Sequence, residues 1–531
     1  MRETLKSKAI QWLEEHRGLV ILVFCLPASF LFDLIVRTVK TVGRILRRYG
    51  NHAHRVRDVQ KAVREWNNLP KSERKPMCTS RPNWMSLSTT FFRKDRCHQI
   101  DVDLSEILRL DEEKLTVTVE PNVSVGEITE FLISHGYMLA VSLEIGDATV
   151  GGLAFAVGMT THSHKVGLYQ ETILSYEIVT AEGSLITVTR DNEHSDLFYC
   201  LPWSHGTLGF LVGLELQIIK VKPYIRVNYV PVHSQEEYCR MISHLSGADG
   251  SNLYTPDFLE ATIYDKENAV VMYGNFAEMD SAEKWMRVNT VSRWYKPWFY
   301  KHVEKFLKAP GEEYIPLKDY LLRHNRAIFW VVESMIPFGN HPLFRLLFGW
   351  LCPPKPAFLK FTTTAAIREM TFKKQVFQDI VMPLSSLKDQ IDKATELFDT
   401  FPLLVYPCRV YDHRRGAQGQ LRSPPSNEIV PGTNYAMYND LGIYGTPGPV
   451  KRKEKYNATE AMREMERFTR EIGGYSFLYA DIFMTEAEFN VMFDLTFYDK
   501  VRKKYGADSA FPRLFDKVKP EIDVMAIGQS N

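Results

Sequence analysis

A glycine-rich stretch at residues 149–183 is the part of the chain best suited to hold a ligand. Glycine lets a backbone approach a ligand closely and adopt positive φ. The hydroxyls and N–H groups between the glycines can surround a diphosphate without a lysine. The candidate contacts are Thr149, Val150, Gly151, Gly152, Leu153, Gly158, Thr160, Thr161, Ser163 and Gly167. Tight turns within a sheet are the alternative explanation for these glycines.

Other residues in this half of the chain could add polar contacts or move a proton. Gly206 and Gly209 form a turn directly before an apolar run. Arg81 could meet a diphosphate, because a guanidinium matches phosphate geometry, or could form a structural salt bridge. Histidine titrates near neutrality, so His164 is a candidate for acid–base catalysis. Like His162, it could instead orient a loop by bonding to a backbone carbonyl.

Composition and charge narrow the classes of function. A chain of 531 residues is long enough for two domains. The net charge of +1 indicates no global field that would attract nucleic acid. Seven scattered cysteines without a Cys-x-x-Cys pair predict neither a zinc site nor a disulfide framework, and they suit a reducing compartment. No Gly-x-Gly-x-x-Gly follows a strand, so a nicotinamide-binding Rossmann domain is not expected.

The elements that would position these residues form an α+β pattern from 77 to 222. A capping box at Ser124 and Glu127 predicts an amphipathic helix that ends at Gly136. Alternating or apolar runs predict strands. These strands are Ile100–Leu104, Leu115–Glu120, Tyr176–Thr180, Ser184–Thr187 and Gly213–Ile219.

The second half of the chain, residues 223–531, is interpreted as a substrate domain. Aromatic and basic residues interleave there, for example at 285–306 and 343–350. Residues 411–434, rich in Gly, Pro, Ser and Arg, predict a loop. Residues 462–472 predict a helix that ends at Gly473.

The N-terminus predicts a membrane anchor. Residues 19–36 are apolar apart from Asp33, and about 20 such residues cross a bilayer. Basic residues downstream predict a single-pass signal-anchor with 1–18 in the lumen and the remainder in the cytosol; a cleaved signal peptide is the alternative. Residues 37–76 are interpreted as a basic helical stalk. For 52–66, a helix packed on the next domain is an equally good interpretation.

Several blocks, kept in order along the chain, carry a family resemblance. They are CTSRPNW at 78–84, VEP at 119–121, WSHGTLGF at 203–210, YKPWFYKHV at 295–303, EYIP at 313–316, IPFG at 336–339, FGW at 348–350 and LYAD at 478–481. With the glycine-rich stretch they resemble the Δ24-sterol reductases (seladin/diminuto proteins) of the vanillyl-alcohol oxidase / p-cresol methylhydroxylase superfamily.

The resemblance implies a PCMH-type FAD-binding domain, at 77–222, of two small α/β subdomains with the flavin between them, followed by a mixed α/β substrate domain. It also implies NADPH as reductant, a sterol substrate, the endoplasmic reticulum membrane and possible contacts with other sterol-pathway proteins. In the superfamily the segment matching Thr149–Thr161 lies along the FAD diphosphate and ribityl chain. Residues 79–92 contain no histidine, which favours non-covalent FAD.

The chain also departs from the family's pattern. Ala156 replaces a glycine, Thr160-Thr161 replaces Glu-Ser, and residues 143–147 replace a more acidic run. Residues 360–368 and 405–413 diverge in the substrate domain, which is compatible with an altered sterol preference.

The implied reaction requires a positioned acid, because a side-chain alkene has no carbonyl to polarise. Tyr479 and Asp481 are the candidates for proton donation. Trp294, Tyr295, Trp298 and Phe299 could stabilise cation character, or simply pack in a core. Lys296 and Lys301 could meet a cofactor phosphate or be solvated. The alternatives in function are another flavin oxidase or dehydrogenase, acting on an alcohol or lactone, and a non-catalytic sterol-binding protein.

Overall fold

The structure is a computed structural model that describes residues 17–46, 51–250, 254–413 and 419–529. Most of the predicted lumenal segment 1–18 and residues 414–418 of the predicted loop therefore lie outside the described residues. Two antiparallel sheets organise the described chain.

The N-terminal apolar segment is one continuous helical run. It comprises Arg17–Val20, a π-helical turn at Ile21–Cys25 and Leu26–Leu46. Its section Ile21–Gly43 is long and apolar enough to be a candidate membrane span. Leu26 is fully buried in the main core, and Ile21 and Leu22 pack beside it.

The next helix, His52–Asn67, begins at Asn51, whose side chain accepts a hydrogen bond from the His54 N–H. Its apolar side chains Val56, Val59, Val63 and Trp66 are all buried. Of the two interpretations of this segment, the structure has the helix packed on the following domain. An apolar face at helical spacing gains free energy when it leaves water, which explains this packing. The interpretation of 37–76 as a basic stalk near the membrane surface stays a prediction.

The first sheet has six strands and lies within residues 107–220. Five strands follow the order Ile107–Asp111, Thr116–Val119, Phe210–Lys220, Ile173–Val179 and Leu185–Thr189, and Tyr137–Leu139 pairs with Phe210–Lys220. The predicted hairpin around Ala181–Gly183 is confirmed. A separate parallel pair joins Met77–Thr79 to His98–Ile100, so the strand predicted at 100–104 ends at Ile100.

Short helices cover this sheet. The predicted capping box is present at Ser124 and Glu127, and the helix runs over Val125–Ser134. The other α-helices are Val150–Ala156, Ser163–Val166 and Ser195–Cys200, and the 3₁₀ turns are Asn83–Met85, Lys94–Arg96 and Tyr169–Thr172.

The second sheet has eight antiparallel strands. Their order is Gly311–Pro316, Tyr224–Val232, Ala269–Ala277, Phe258–Ile263, Leu403–Tyr411, Tyr435–Gly445, Val376–Pro383 and Tyr475–Ser476. The helix predicted at 462–472 is confirmed and runs over Ala458–Glu471.

The remaining helices belong to the second half of the chain. The longer ones are Gln235–Ser246, Pro342–Phe348, Ala365–Lys374, Leu387–Phe398, Glu486–Met492 and Thr496–Lys504. The shorter ones are Ala282–Met286, Phe299–Glu304, Leu317–Leu321, Val331–Met335, Pro356–Phe361, Gly448–Lys451, Ala507–Ala510, Leu514–Val518 and Val524–Gln529. The 3₁₀ turns are Lys305–Leu307, Gly349–Leu351, Leu384–Ser386 and Ser426–Glu428.

The second sheet has different partners on its two faces. Leu403 and Val405 pack with the helices Leu387–Phe398 and Ala458–Glu471. The alternate residues Leu404 and Tyr406 join the core of the first domain. Because side chains of a strand alternate between faces, one face of this sheet is turned towards the glycine-rich stretch.

Candidate functional site

A cavity of about 250 Å³ lies beside the glycine-rich helix Val150–Ala156. The residues predicted from sequence that line it are Arg81, Thr149, Gly151, Gly152, Gly206, Gly209 and Tyr479. The structure therefore brings together both glycine turns, the predicted arginine and one of the predicted acids.

Local geometry keeps the backbone of this wall accessible. The Thr149 hydroxyl accepts a hydrogen bond from the Gly152 N–H at 3.2 Å, which caps the helix. A Cβ on Gly152 would approach only that hydroxyl, so the glycine presents bare backbone to the cavity. Gly206 has φ of +75°, a conformation that glycine adopts without strain.

Three partly buried cations line the cavity without a carboxylate partner in the part of the chain that the structure describes: Arg81, Lys94 and Lys517. The Lys94 ammonium donates to the carbonyl of Thr79 at 2.7 Å and to that of Arg81 at 2.6 Å. The Arg81 guanidinium donates to the Met85 carbonyl at 3.0 Å. The Lys517 ammonium lies 3.9 Å from the centre of the Phe92 ring.

Desolvation makes these charges costly. Burial lowers the pKa of Arg81 to about 10. Burial, reinforced by repulsion from Lys517, lowers the pKa of Lys94 to about 8. Burial also lowers the pKa of Lys517. Buried charges are usually paired, so this arrangement fits a bound dianion such as a diphosphate.

A buried polar atom on the same wall supports that fit. His205 lines the cavity, and its buried Nε2 has no hydrogen-bond partner among the described residues. Burial, and secondarily the charge of Lys517, lower the pKa of His205 to about 3, so the ring is neutral. A ligand in the cavity would satisfy this atom.

Tyr479 connects the cavity to a buried acid. Its ring lines the cavity and stacks on Phe477 with ring centres 5.0 Å apart. Its hydroxyl donates to the carboxylate of Asp379, which also accepts from Tyr444. Burial raises the pKa of Asp379 to about 6, although both tyrosines act in the opposite direction.

A second carboxyl stands beside the first on the same face of the sheet. Asp379 pairs with Gly442, and Val381 pairs with Asp440, so the two carboxyls are diagonal neighbours. Burial and then repulsion from Asp379 raise the pKa of Asp440 well above its usual range. Asp440 Oδ1 has no hydrogen-bond partner among the described residues. The raised pKa values favour the protonated form of this pair, which could donate a proton.

A buried network ties the glycine-rich stretch to this sheet. The Thr160 hydroxyl donates to Glu144 at 2.7 Å. Burial raises the pKa of Glu144 to about 7. Arg323 lies 3.7 Å from Glu144, donates twice to Glu260 at 2.9 Å and donates to the Tyr406 hydroxyl at 3.2 Å. Thr160 therefore positions a carboxyl instead of lining the cavity.

The other predicted residues of the glycine-rich stretch shape its turn and lie away from the cavity wall. Val150 and Leu153 are buried in the core. Ser163 accepts from the Thr160 N–H, and Thr161 accepts from the Leu259 N–H through its carbonyl. A Cβ on Gly158 would meet the Leu153 side chain, and one on Gly167 would meet Tyr411 at 2.9 Å.

The prediction of His164 as a catalytic residue does not agree with its place in the structure. Its Nε2 contacts the carbonyl of Pro256 at 2.8 Å, and the ring is fully buried away from the cavity. Burial lowers its pKa to about 3. His162 similarly contacts the Asp257 carbonyl at 2.5 Å. These contacts favour the second of the two interpretations, in which both rings orient this loop.

Asp481, the other predicted acid, is held in an ion pair. Arg368 donates to its two oxygens at 2.5 and 2.7 Å and also binds Glu521 at 2.9 Å. Both oxygens of the carboxylate are engaged, and it does not line the cavity. These contacts favour a structural role for Asp481.

The predicted aromatic and lysine cluster is also away from the cavity. Trp298 and Phe299 are buried in core packing, while Trp294 and Tyr295 are exposed. Lys301 pairs with Glu304 and Glu333. Trp298 and Phe299 therefore pack in a core, as the alternative interpretation has it. Lys296 does not line the cavity either.

Sequence reasoning missed Lys94, Lys517, Asp379 and Asp440. For the two aspartates a signal was present: each interrupts a strongly apolar strand, in VFQDIVMP and in YNDLGIY. An acid at an inward-facing strand position is costly unless it has a role. For the two lysines no local pattern distinguishes them from surface lysines.

Known proteins resemble the chain over nearly its whole length. A family model described as an FAD binding domain matches residues 51–189. The Delta(24)-sterol reductase of Homo sapiens is 37% identical, over 97% of this chain and 96% of that protein. The Delta(24)-sterol reductase homolog dhcr-24 of Caenorhabditis elegans is 35% identical, over 97% of each chain.

The similarity extends to plants. The Delta(24)-sterol reductase of Arabidopsis thaliana is 34% identical, over 98% of this chain and 94% of that protein. The chain belongs to the Delta(24)-sterol reductase family of FAD-dependent oxidoreductases.

Proposed function

We propose that this chain reduces the Δ24 side-chain double bond of a sterol with FAD and NADPH. The observation that carries the mechanism is the connection from the cavity through Tyr479 to the buried Asp379. The cavity that suits a diphosphate cofactor is thus connected, through Tyr479, to a carboxyl whose pKa is raised.

The cofactor's diphosphate would be held by Arg81, Lys94 and Lys517, with Gly152 and Gly206 allowing close backbone approach. Charge-assisted hydrogen bonds contribute about 1.5–3 kcal/mol each. Bound FAD supplies the hydride. The protein's own contribution is to position the cofactor, exclude water and deliver a proton.

The protein must deliver a proton, because an isolated alkene has no carbonyl to polarise. Protonation at its less substituted carbon leaves tertiary cation character at the neighbouring carbon, where hydride can add. We assign the proton to a relay in which the Tyr479 hydroxyl, on the cavity wall, gives its proton to the alkene while protonated Asp379, with Asp440 beside it, donates its own proton to the Tyr479 oxygen. This assignment replaces Asp481, whose carboxylate Arg368 occupies.

Aromatic faces at the cavity could stabilise the cation character. Tyr479, Phe155 and Phe210 line it. Each ring face contributes roughly 0.5–2 kcal/mol when a cation lies over it. In this proposal these rings take the role that the sequence suggested for Trp294, Tyr295, Trp298 and Phe299.

NADPH would bind at the flavin and then dissociate, because no dedicated nicotinamide motif is present in the sequence. The expected kinetics are ping-pong. We place the chain at the endoplasmic reticulum membrane with its domains in the cytosol, where it could contact other sterol-pathway proteins. The apolar helix Ile21–Gly43 and the reducing-compartment pattern of cysteines support this location.

The direct test is incubation of the purified full chain with desmosterol and NADPH, followed by mass analysis of the sterol. A gain of two hydrogens is expected, together with yellow, flavin-containing protein. Oxygen consumption on an alcohol or lactone without NADPH would instead favour an oxidase. Colourless protein that retains sterol would favour a non-catalytic binding role.

A further inference from the structure

The helix Ile21–Gly43 lies along the folded domains instead of projecting from them. Near its start, Leu26 is buried in the core and the Ser29 hydroxyl accepts a hydrogen bond from the Lys355 N–H at 2.8 Å. Near its end, the Lys40 ammonium lies 3.1 Å from the Glu127 carboxylate, in the first domain. The helix is therefore attached to the domains at both ends.

The spacing of these attachments bears on how the helix meets a membrane. Leu22, which packs against the core, and Lys40 are separated by about 27 Å at 1.5 Å per residue. The hydrocarbon core of a bilayer is about 30 Å thick. If the helix crossed the bilayer with these contacts intact, the domain surface that carries Glu127 and Lys355 would lie in hydrocarbon. Charged groups there are costly.

The two faces of the helix differ. The face towards the domains carries Ser29, Asp33 and Lys40, which all have polar contacts. The opposite face exposes large apolar side chains at helical spacing. They are Phe30, Leu31, Leu34, Ile35, Val39 and Val42. One apolar face and one polar, docked face are typical of a helix that lies in the membrane interface.

A second apolar surface continues this face. The segment 342–361 exposes Leu343, Leu346, Leu347, Trp350 and Phe361. The Trp350 ring contacts the Phe30 ring with centres 5.5 Å apart, and Phe361 contacts Phe32 at 5.5 Å. Tryptophan is enriched where proteins meet the headgroup region. Contiguous apolar patches of this kind mark interaction sites.

We propose that the exposed face of Ile21–Gly43 and the apolar surface of 342–361 form one membrane-docking face, which enters a single leaflet and lies in the plane of the bilayer. The occupant of this face is the acyl-chain region of the lipid. The proposal replaces the membrane-spanning interpretation of the helix with an in-plane one, and it does not depend on the reaction that the chain catalyses.

The docking face also touches the wall of the cofactor cavity. Trp84 contacts Phe32 of the helix at 5.4 Å. The Lys360 ammonium donates to the carbonyls of Ser88 and Thr90, and both of these residues line the cavity. The cavity thus lies next to the membrane, and a bilayer-resident sterol would have a short path to it if the proposed function holds.

The first test concerns topology. The full chain, with an epitope at its N-terminus, is inserted into sealed endoplasmic-reticulum vesicles and exposed to external protease. An in-plane helix leaves the epitope and the domains on the same side, so both are digested without detergent. Protection of the epitope while the domains are digested would overturn the proposal.

The second test concerns the surface at 342–361. The double variant Leu346→Glu/Leu347→Glu is compared with Val491→Glu in flotation with lipid vesicles. Leu346 and Val491 are 61% and 62% exposed, but Val491 lies on another helix, Glu486–Met492. Each leucine is expected to contribute about tenfold or more to partition, and the control should float as wild type does. Equal flotation of both variants would contradict the proposal.

Retained flavin absorbance shows that each variant is folded. Photoreactive lipids provide a readout that needs no substitution: acyl-chain crosslinks are expected within both 21–43 and 342–361. Crosslinks confined to 21–43 would contradict the proposed face. Because none of these measurements uses sterol reduction, their failure is distinguishable from a failure of the proposed function.

Discussion

The Tyr479 hydroxyl donates a hydrogen bond to the buried carboxyl of Asp379, while the ring of Tyr479 forms part of the cavity wall. The two residues come from different places in the chain: Asp379 lies within the strand Val376–Pro383, and Tyr479 follows the edge strand Tyr475–Ser476 that pairs with it. This pairing places a carboxyl of raised pKa one side chain away from the cavity.

Replacement of this carboxyl tests its role as the proton source. Asp379→Asn should lower kcat for sterol reduction by about 10²–10⁴, the usual contribution of a positioned acid, while flavin content stays unchanged. The matched control is Glu466→Gln. Glu466 is another buried carboxyl, whose pKa burial raises to about 8, but it accepts from the Phe483 N–H and does not line the cavity. Equal losses in both variants would show a general effect of buried acids.

The same carboxyl predicts how activity and stability depend on pH. As an acid it must be protonated, so kcat should decrease as pH rises above about 6. Folding raises its pKa from 3.8 to about 6, so between these values the folded state holds a proton that the unfolded state has lost. Stability from this group is thus present below about pH 4 and lost as pH rises towards 6.

Asp379→Asn should therefore be more stable than wild type at pH 8, by up to about 3 kcal/mol, although its kcat is lowered. Denaturant unfolding at pH 4 and pH 8 measures this difference. At each pH, the stability of the variant is compared with that of wild type. If the variant loses stability relative to wild type between pH 4 and pH 8, then ionised Asp379 stabilises the fold and the prediction is wrong.

The partly buried cations predict an effect on cofactor affinity. Lys517→Gln should weaken FAD binding about 10–100-fold, the equivalent of one charge-assisted hydrogen bond, as measured by flavin fluorescence titration of the apoprotein. Lys519→Gln is the control, because Lys519 is exposed and pairs with Asp516. Equal affinities in the two variants would place the diphosphate elsewhere.

Lys94 makes a separate prediction for the cofactor-free protein. Burial lowers its pKa from 10.5 to about 8, so between pH 8 and 10.5 the unfolded state binds the additional proton. Stability of the apoprotein should rise with pH across this window. With FAD bound, the charged form gains a partner, and this rise should shrink. Thermal unfolding at pH 8 and 9.5, with and without FAD, checks the difference.

Asp481 provides a structural contrast with Asp379. Asp481→Asn leaves Arg368 with Glu521 as its remaining acidic partner. Breaking a buried pair costs about 3–5 kcal/mol, so a lower Tm is expected with kcat per bound flavin close to wild type. A large loss of kcat without a change in Tm would restore Asp481 as the acid.

Local patterns in the sequence determined much of this protein. The glycine stretch, the capping box at Ser124 and Glu127, the hairpin at 181–183 and the helix near 458–471 all depend on residues close together in the chain. Such features follow from backbone freedom and hydrophobic periodicity, which act over a few residues. The residue blocks that carried the family resemblance were likewise visible without coordinates.

Tertiary structure decided which side chains share a site. Arg81, Lys94 and Lys517 meet across more than 400 residues of chain, and strand register, not spacing, sets Asp379 beside Asp440. The tertiary structure also argues against two candidates predicted from sequence. Asp481 is held in an ion pair with Arg368, and His164 contacts a backbone carbonyl. The physical reason is that a group's charge state and availability depend on burial and on partners that folding brings from distant parts of the chain.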